Sequence, residues 1–340
     1  MISTSIPIHK VAQSRLDQVD FDHLEFGKVA TDHLFQAKYY DNAWQDASVK
    51  PFEPITLSPF ALVFHYGQAV FEGMKAFYRA DGKIGIFRPT RNWQRLNRSL
   101  ERMAMPTIEK ELFMEGLRTL IETDSAWVPN KPGQALYLRP VVFATEGRLG
   151  VKISEEYLFQ IQASPVAAFY NKNLRLKVET EFVRAAKGGV GYAKCAGNYG
   201  AAFYPAKLAK EQGFDQVIWT DAKEHQFVEE SGTMNIMFII DDKLVTPPTS
   251  TSILAGITRE SLLKLAPEFG LTAEERPVSL DELEERLSNG TIREVFGAGT
   301  AATVAPIESI HLRGKDYQIP IADSDIKFKM KQYLEDLRKG

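Results

Sequence analysis

The sequence predicts a mixed α/β (α+β) fold in two domains, on three observations. The chain has 340 residues, long for one hydrophobic core and natural for two. Amphipathic helical patterns and short apolar strand-like runs intermingle along it. The pattern breaks at Ser164–Asn173 (SPVAAFYNKN), which has a proline, two asparagines and no period. The expected division is a small N-terminal domain over 1–165, a linker over 166–175 and a large C-terminal domain over 176–340.

Taken in order, residues 21–58 carry aromatics and short polar turns and predict short strands. Leu62–Phe77 is apolar with Gly67 and Gly73 inside it, and predicts a strand or turn, a short helix, then a strand ending at the hairpin signal Asp81-Gly82. Ile84–Phe87 is the return strand. Asn92–Met103 predicts a helix buried through Trp93, Leu96 and Leu100, and Lys110–Ile121 a second amphipathic helix. Ala135–Phe143 and Tyr157–Ala163 read as strands, the first interrupted by the charge of Arg139.

Beyond the break, Leu174–Glu179 opens with a strand. A helix is expected over Ala201–Glu211, with strands at Gln216–Thr220 and Asn235–Ile240. Gly256–Leu265 begins a helix. Asp281–Leu287 is a short helix capped by Ser279. Ile292–Phe296 reads as a strand, FGAGTAATVAP as a glycine-bearing loop and Lys327–Arg338 as a closing helix.

Composition narrows the function. With 44 % hydrophobic and 25 % charged residues the chain is globular, and a formal net charge of −3 gives no reason to expect a nucleic-acid partner. One cysteine excludes an intramolecular disulfide framework and agrees with a reducing compartment. Met1–Leu16 lacks the apolar core and basic flank of a signal peptide, and no run is long enough to cross a bilayer. A soluble, cytoplasmic protein is expected.

The chemistry centres on GGVGYAKCAGNYG, Gly188–Gly200, with Lys194 among five glycines and short side chains. Glycines permit close backbone approach or positive φ. With no acid beside it in sequence, Lys194 is a candidate for a desolvated amine of lowered pKa. Such an amine can condense with an aldehyde, the way pyridoxal phosphate is tethered. The alternative is a glycine-rich turn with a solvated lysine. The spacing completes neither a dinucleotide fingerprint nor a phosphate loop, and Cys195 has no histidine close in sequence to activate it.

A pyridoxal site also needs helix-start N–H donors, a hydroxyl and a cation for the phosphate, and a carboxylate for the ring nitrogen. Gly256-Ile257-Thr258, Gly299-Thr300, Arg95 and Glu230 are candidates. Taken singly, each also reads as an ordinary cap, a solvated helix face or a turn carboxylate.

Together, FEGMKAF (71–77), FRPTRNWQRLNRS (87–99), ALYLRPVVFATEG (135–147), GGVGYAKCAGNYG, EESGTMN (229–235), ILAGITRESLL (253–263) and REVFGAGTA (293–301) resemble the branched-chain amino acid aminotransferases of the fold-type IV class of pyridoxal phosphate enzymes. They come in the family's order and cover most of the chain. The resemblance implies a two-domain fold with the cofactor between the domains, a homodimer, and amino transfer from leucine, isoleucine or valine to 2-oxoglutarate through a pyridoxamine form. Motif matching implies that Lys194 tethers the cofactor and moves the proton between the substrate Cα and C4′. It gives Tyr199 the ring's phenolic oxygen and Glu230 the pyridine nitrogen. Arg95, in the pattern Arg95-Leu96-x-x-Ser99, with the Ile257 and Thr258 amides and Thr300, holds the phosphate.

On the substrate side, Phe71 and Phe169 match walls of the apolar pocket. Tyr66, Tyr137 and backbone near Ala301 match groups that hold the substrate carboxylate. Arg139 is costly in an apolar strand unless paired, and the resemblance offers a reason: glutamate must use the same pocket as leucine, and its distal carboxylate needs a cation. The alternative for Arg139 is a structural ion pair. Ala302 and Ala305 occupy the positions of a redox-sensitive C-x-x-C found in some relatives, so thiol control of that kind is not expected. D-amino acid transamination or aminodeoxychorismate lysis on the same fold would keep Lys194 and Glu230 and change the pocket. A cofactor-free binding protein would show no visible band.

Overall fold

A computed structural model describes residues 6–167 and 172–340. Two compact units divide the chain. The first comprises Met1–Phe169 with Ala193–Gly197 and Arg338–Gly340, the second Tyr170–Tyr192 with Asn198–Leu337. The division is therefore not linear along the chain. The short strip carrying Lys194, expected in the C-terminal domain, packs with the N-terminal unit.

In the first unit β1 (His33–Tyr40) and β2 (Ala43–Pro51) form a long hairpin. Asp41 and Asn42 at its tip both have positive φ, 49° and 59°, the twist that a tight two-residue turn requires. A short helix α1 (Leu62–Tyr66) precedes β3 (Ala69–Phe71), β4 (Met74–Tyr78) and β5 (Ile84–Ile86). Helices α2 (Pro89–Arg102) and α3 (Lys110–Thr123) lead to the long strands β6 (Ala135–Ala144) and β7 (Tyr157–Val166). The sheet order is β2-β1-β7-β6-β4-β5, with β3 also on β6. Phe35 and Phe113 close on Phe159, their centroids 5.4 and 6.3 Å from it, and all three rings are fully buried.

Helix α2 departs from its expected stripe. Its buried residues are Asn92, Arg95, Leu96, Ser99 and Leu100, a true 3.6-residue face on which three members are polar, while Trp93 is only half-buried. Polar groups survive burial only when hydrogen-bonded, so this face must meet polar partners.

The second unit holds β8 (Leu174–Val178), β9 (Gln216–Thr220), β10 (Val228–Ser231), β11 (Met234–Ile240), β12 (Lys243–Thr246), β13 (Thr272–Glu275), β14 (Ile292–Gly299), β15 (Thr303–Leu312) and β16 (Lys315–Gln318). The path β10-β9-β8-β15-β14-β11 closes on itself, because β10 also pairs with β11. Every residue of β11 is buried, so its apolar run shows no alternation. Gly297 and Gly299 lie within β14, beside the side chain of Met234. The glycine-bearing loop expected there is a strand, a turn at 300–302 and a further strand.

The helices associated with the second half of the chain are α4 (Ala196–Glu211), α5 (Ile257–Leu265), α6 (Leu280–Ser288) and α7 (Ile326–Lys339). Helix α4 begins five residues before its expected start and takes in Gly197 and Gly200. Ser279 caps α6 as expected, its hydroxyl accepting the Glu282 N–H at 3.1 Å. Ser279→Ala should therefore lower stability by about 1 kcal/mol, read as a shift in the urea midpoint with activity unchanged. Among the described residues no helix is long and apolar enough to cross a membrane.

Candidate active site

Among the buried polar residues of each unit, one group holds residues singled out by the sequence. In the first, Glu72 follows β3 and is fully buried. Its carboxylate takes a two-point pair from Arg95, Nε to Oε1 at 2.7 Å and Nη2 to Oε2 at 2.9 Å. Asn92 Nδ2 donates to Oε2 at 2.8 Å. Arg95 is thus no solvated helix face. Burial would raise the Glu72 carboxyl, but the charge and hydrogen bonds of Arg95, the charge of Lys194 and the Asn92 bond together hold it below its ordinary value.

Lys194 is placed by its main chain. Its N–H donates to Ser99 Oγ at 2.9 Å, and its carbonyl accepts the Phe71 N–H at 3.0 Å. Cys195 is buried and bridges to Val70. The Lys194 ammonium lies 4.8 Å from the centroid of the Phe71 ring, and the Arg139 guanidinium 4.6 Å from the same centroid. Arg139 Nη2 donates to Tyr137 Oη at 3.1 Å. Its buried Nε has no hydrogen-bond partner, and among the described residues Arg139 meets no carboxylate. Among the described residues, the structural ion pair expected as its alternative is not found. Tyr137 Oη also crowds Gly73, where a Cβ would overlap it. Tyr66 ends α1, partly exposed, with its hydroxyl donating to the Leu149 carbonyl.

In the second unit Glu230 lies in β10 and is 3 % exposed, rather than in the turn expected from sequence. Oε1 accepts the Leu254 N–H at 2.8 Å and Asn235 Nδ2 at 3.1 Å. Oε2 pairs with Arg184 Nε at 2.9 Å, the N–H out of line for a hydrogen bond. Arg184 also donates to the carbonyls of Gly191 and Ser252. Burial raises the neighbouring Glu229 carboxyl above its ordinary range, against the Ser252 hydroxyl bond and the charge of Arg184.

Ile257 and Thr258 form the buried first turn of α5, whose N-cap Gly256 contributes no side-chain cap. A Cβ at Gly256 would overlap Asn235 Oδ1, so the loop into α5 closes on the residue that also holds Glu230. Thr300 and Ala301 occupy the half-buried turn between β14 and β15, and Tyr199 is half-buried on α4. Phe169 lies outside the described residues.

Sequence reasoning missed Glu72, Asn92, Arg184 and Asn235 as the groups that hold these side chains. Only Glu72 carried a signal, as an acid inside the apolar run FEGMKAF.

Residues 69–310 match the model of the family Amino-transferase class IV. The chain belongs to that family. Among its relatives, Branched-chain-amino-acid transaminase 1 of Bacillus subtilis (strain 168) is 44 % identical over 332 residues, covering 95 % of this chain and 93 % of the relative. Two solved structures show the same fold-type IV architecture. The branched-chain amino acid aminotransferase from Escherichia coli aligns with a TM-score of 0.72 at 24 % identity, over 90 % of this chain and 94 % of that one. That from Thermobaculum terrenum, in its PLP-form, aligns with a TM-score of 0.72 at 21 % identity, over 91 % and 94 %.

Proposed function

We propose that this class IV amino-transferase is a pyridoxal phosphate-dependent branched-chain-amino-acid transaminase, reversibly moving the amino group of L-leucine, L-isoleucine or L-valine to 2-oxoglutarate and giving branched 2-oxo acids and L-glutamate. The observation that carries the substrate class is the 44 % identity along nearly the whole chain to a branched-chain transaminase. The residues present suit the cofactor: a lysine anchored by its backbone, a buried arginine, a buried carboxylate, and a helix start whose glycine N-cap suits a phosphate. Bound pyridoxal phosphate supplies an aldehyde that takes up the amino group and a ring that accepts electrons from Cα.

Lys194 would tether the cofactor through its amine and carry the proton to and from the substrate Cα. Glu230 keeps the ring nitrogen protonated, and Tyr199 bonds the phenolic oxygen. Arg95, the Ile257 and Thr258 amides and Thr300 hold the phosphate. Phe71 and Phe169 wall the side-chain pocket. Tyr66, Tyr137 and the backbone near Ala301 hold the substrate carboxylate. An amino-donor screen with 2-oxoglutarate tests the reading. Leucine, isoleucine and valine should react, and preference for D-alanine would overturn it.

Arg139 takes the distal carboxylate of glutamate or 2-oxoglutarate, a role supported by its lack of a protein carboxylate among the described residues. Arg139→Ala should slow the glutamate half-reaction about 10- to 150-fold, the cost of one charge-assisted pair, and spare the leucine half-reaction. Stopped-flow traces at the cofactor absorbance separate the two, and equal slowing would make Arg139 structural.

The protein acts in the cytoplasm as a homodimer. Phe60, Phe64, Leu149 and Val151 are exposed on two segments joined by the bond from the Arg148 N–H to the Phe60 carbonyl, an apolar surface that supports self-association. A monomeric mass by light scattering would refute the dimer.

A further inference from the structure

The Arg184 side chain joins three segments of the second unit. Its Nε stands 2.9 Å from Glu230 Oε2, with both side chains more than nine-tenths buried. Nη2 donates to the carbonyl of Gly191 at 3.1 Å and to that of Ser252. Those two segments already touch, since the Tyr192 N–H donates to the Thr251 carbonyl and the Gly188 N–H to Thr251 Oγ1. A Cβ at Gly191 would stand 2.5 Å from the Ser252 carbonyl oxygen, so glycine is required for one nitrogen to reach both carbonyls. The Glu230 carboxylate divides its oxygens. Oε1 takes the neutral donors of Leu254 and Asn235, and Oε2 faces the guanidinium. The Arg184 Nε–H makes no hydrogen bond, so what it brings to Oε2 is charge. Acids of the same cluster include Glu229, on the same strand and bonded by the Ser252 hydroxyl, and Asp221, which acts on Glu229. Neither can supply that positive charge.

We infer that Arg184 is a positioning residue, acting through Glu230, whose buried carboxylate it keeps charged and in place for the ring nitrogen. The inference rests on the reading of Glu230 as the partner of that nitrogen. A buried carboxylate is costly unless a cation faces it, and once the cation is gone burial favours the neutral acid. A neutral Glu230 offers the ring nitrogen no counter-charge. A merely structural tie between the Gly191 and Ser252 segments would leave the charge of Glu230 unchanged.

The experiment compares wild type, Arg184→Lys, Arg184→Gln, Glu230→Gln and Arg184→Gln/Glu230→Gln. In the leucine half-reaction of the holoenzyme, Arg184→Gln should slow about 10²-fold or more, as Glu230→Gln does. The double variant should be no slower than Glu230→Gln alone, because losses that pass through one charge do not add. Arg184→Lys restores the charge but not the planar fork of donors, and should recover most of the rate. Losses that multiply in the double variant, or a lysine variant as slow as the glutamine one, overturn the inference. If Arg184→Gln fails to fold and the double variant folds, the stranded carboxylate is the cause and the pairing stands. If neither folds, the side chain is a structural tie and the inference falls.

A second readout needs no cofactor. In the cofactor-free full chain, with glutamate carboxyls isotopically labelled, the infrared difference between Arg184→Gln and the double variant at neutral pH should show the carbonyl stretch of a protonated carboxylic acid. The difference between wild type and Glu230→Gln should show a carboxylate instead. Glu229, present throughout, cancels. An ionised Glu230 in Arg184→Gln overturns the inference. A wild type that develops no visible band with pyridoxal phosphate would sink the cofactor reading, while the infrared spectra still decide whether Arg184 sets the charge of Glu230.

Discussion

Lys194→Ala is expected to fold, to lose covalent cofactor and to lose turnover by on the order of 10²- to 10⁴-fold from proton transfer alone. Folding should survive because the strip around Lys194 is held by its backbone. The bonds to Ser99 Oγ and from the Phe71 N–H, and the bridge of Cys195 to Val70, do not involve the lysine side chain. The ammonium over the Phe71 ring is lost, an interaction worth about 0.5–2 kcal/mol, too little to unfold a domain. Borohydride reduction of wild-type holoenzyme followed by peptide mapping should place the cofactor on Lys194, and the variant should carry none. A label on Lys187, an exposed residue in the same stretch, would overturn the assignment.

What the sequence disclosed of this fold depended on distance along the chain. Helices α2, α3 and α6 were legible because their signals repeat every three or four residues or sit at a cap. The closed path of strands in the second unit was not. It depends on four-residue β10 pairing on both sides, and no local pattern reports a pairing. The β14–β15 hairpin was hidden by Gly297 and Gly299, which read as loop residues but lie in a strand beside Met234. Early glycines likewise concealed the start of α4, whose helix forms although glycine costs about 1 kcal/mol per position relative to alanine.

The site divided in the same way. Residue types at motif spacing identified Lys194, Arg95 and Glu230 as candidates, but their electrostatic setting was invisible. No acid adjoins Lys194 in sequence, yet its charge is among those that hold the buried Glu72 carboxyl below its ordinary value. Glu72 lies 23 residues from the arginine it pairs with. Arg184 sits in VRAAKGG with nothing nearby to mark it as the cation on Glu230. A buried ion pair is a tertiary fact, required by burial and readable only once the chain has folded.

Glu230→Gln should lower turnover on the order of 10²-fold or more, as removal of one electrostatic stabiliser does, with a much smaller loss of cofactor affinity. The substitution keeps the size of the side chain and leaves the proposed phosphate contacts on α5 untouched, so the cofactor should still bind. It removes the charge that keeps the ring nitrogen protonated, and the electrons released at Cα then lose their sink. The structure adds a second cost. Glu230 accepts from Leu254 and Asn235 at Oε1 and pairs with Arg184 at Oε2, so a glutamine amide must turn its NH₂ toward one of these donors and leave Arg184 without its carboxylate. That cost appears as lower thermal stability, and half-reaction rates measured well below the melting temperature exclude it. Glu229→Gln is the matched control. The Glu229 carboxyl is already pushed toward its neutral form by burial and bonds the Ser252 hydroxyl, so its replacement should leave both half-reactions near wild type. If Glu230→Gln turns over within a few-fold of wild type, or Glu229→Gln proves the more damaged, the ring-nitrogen role does not belong to Glu230.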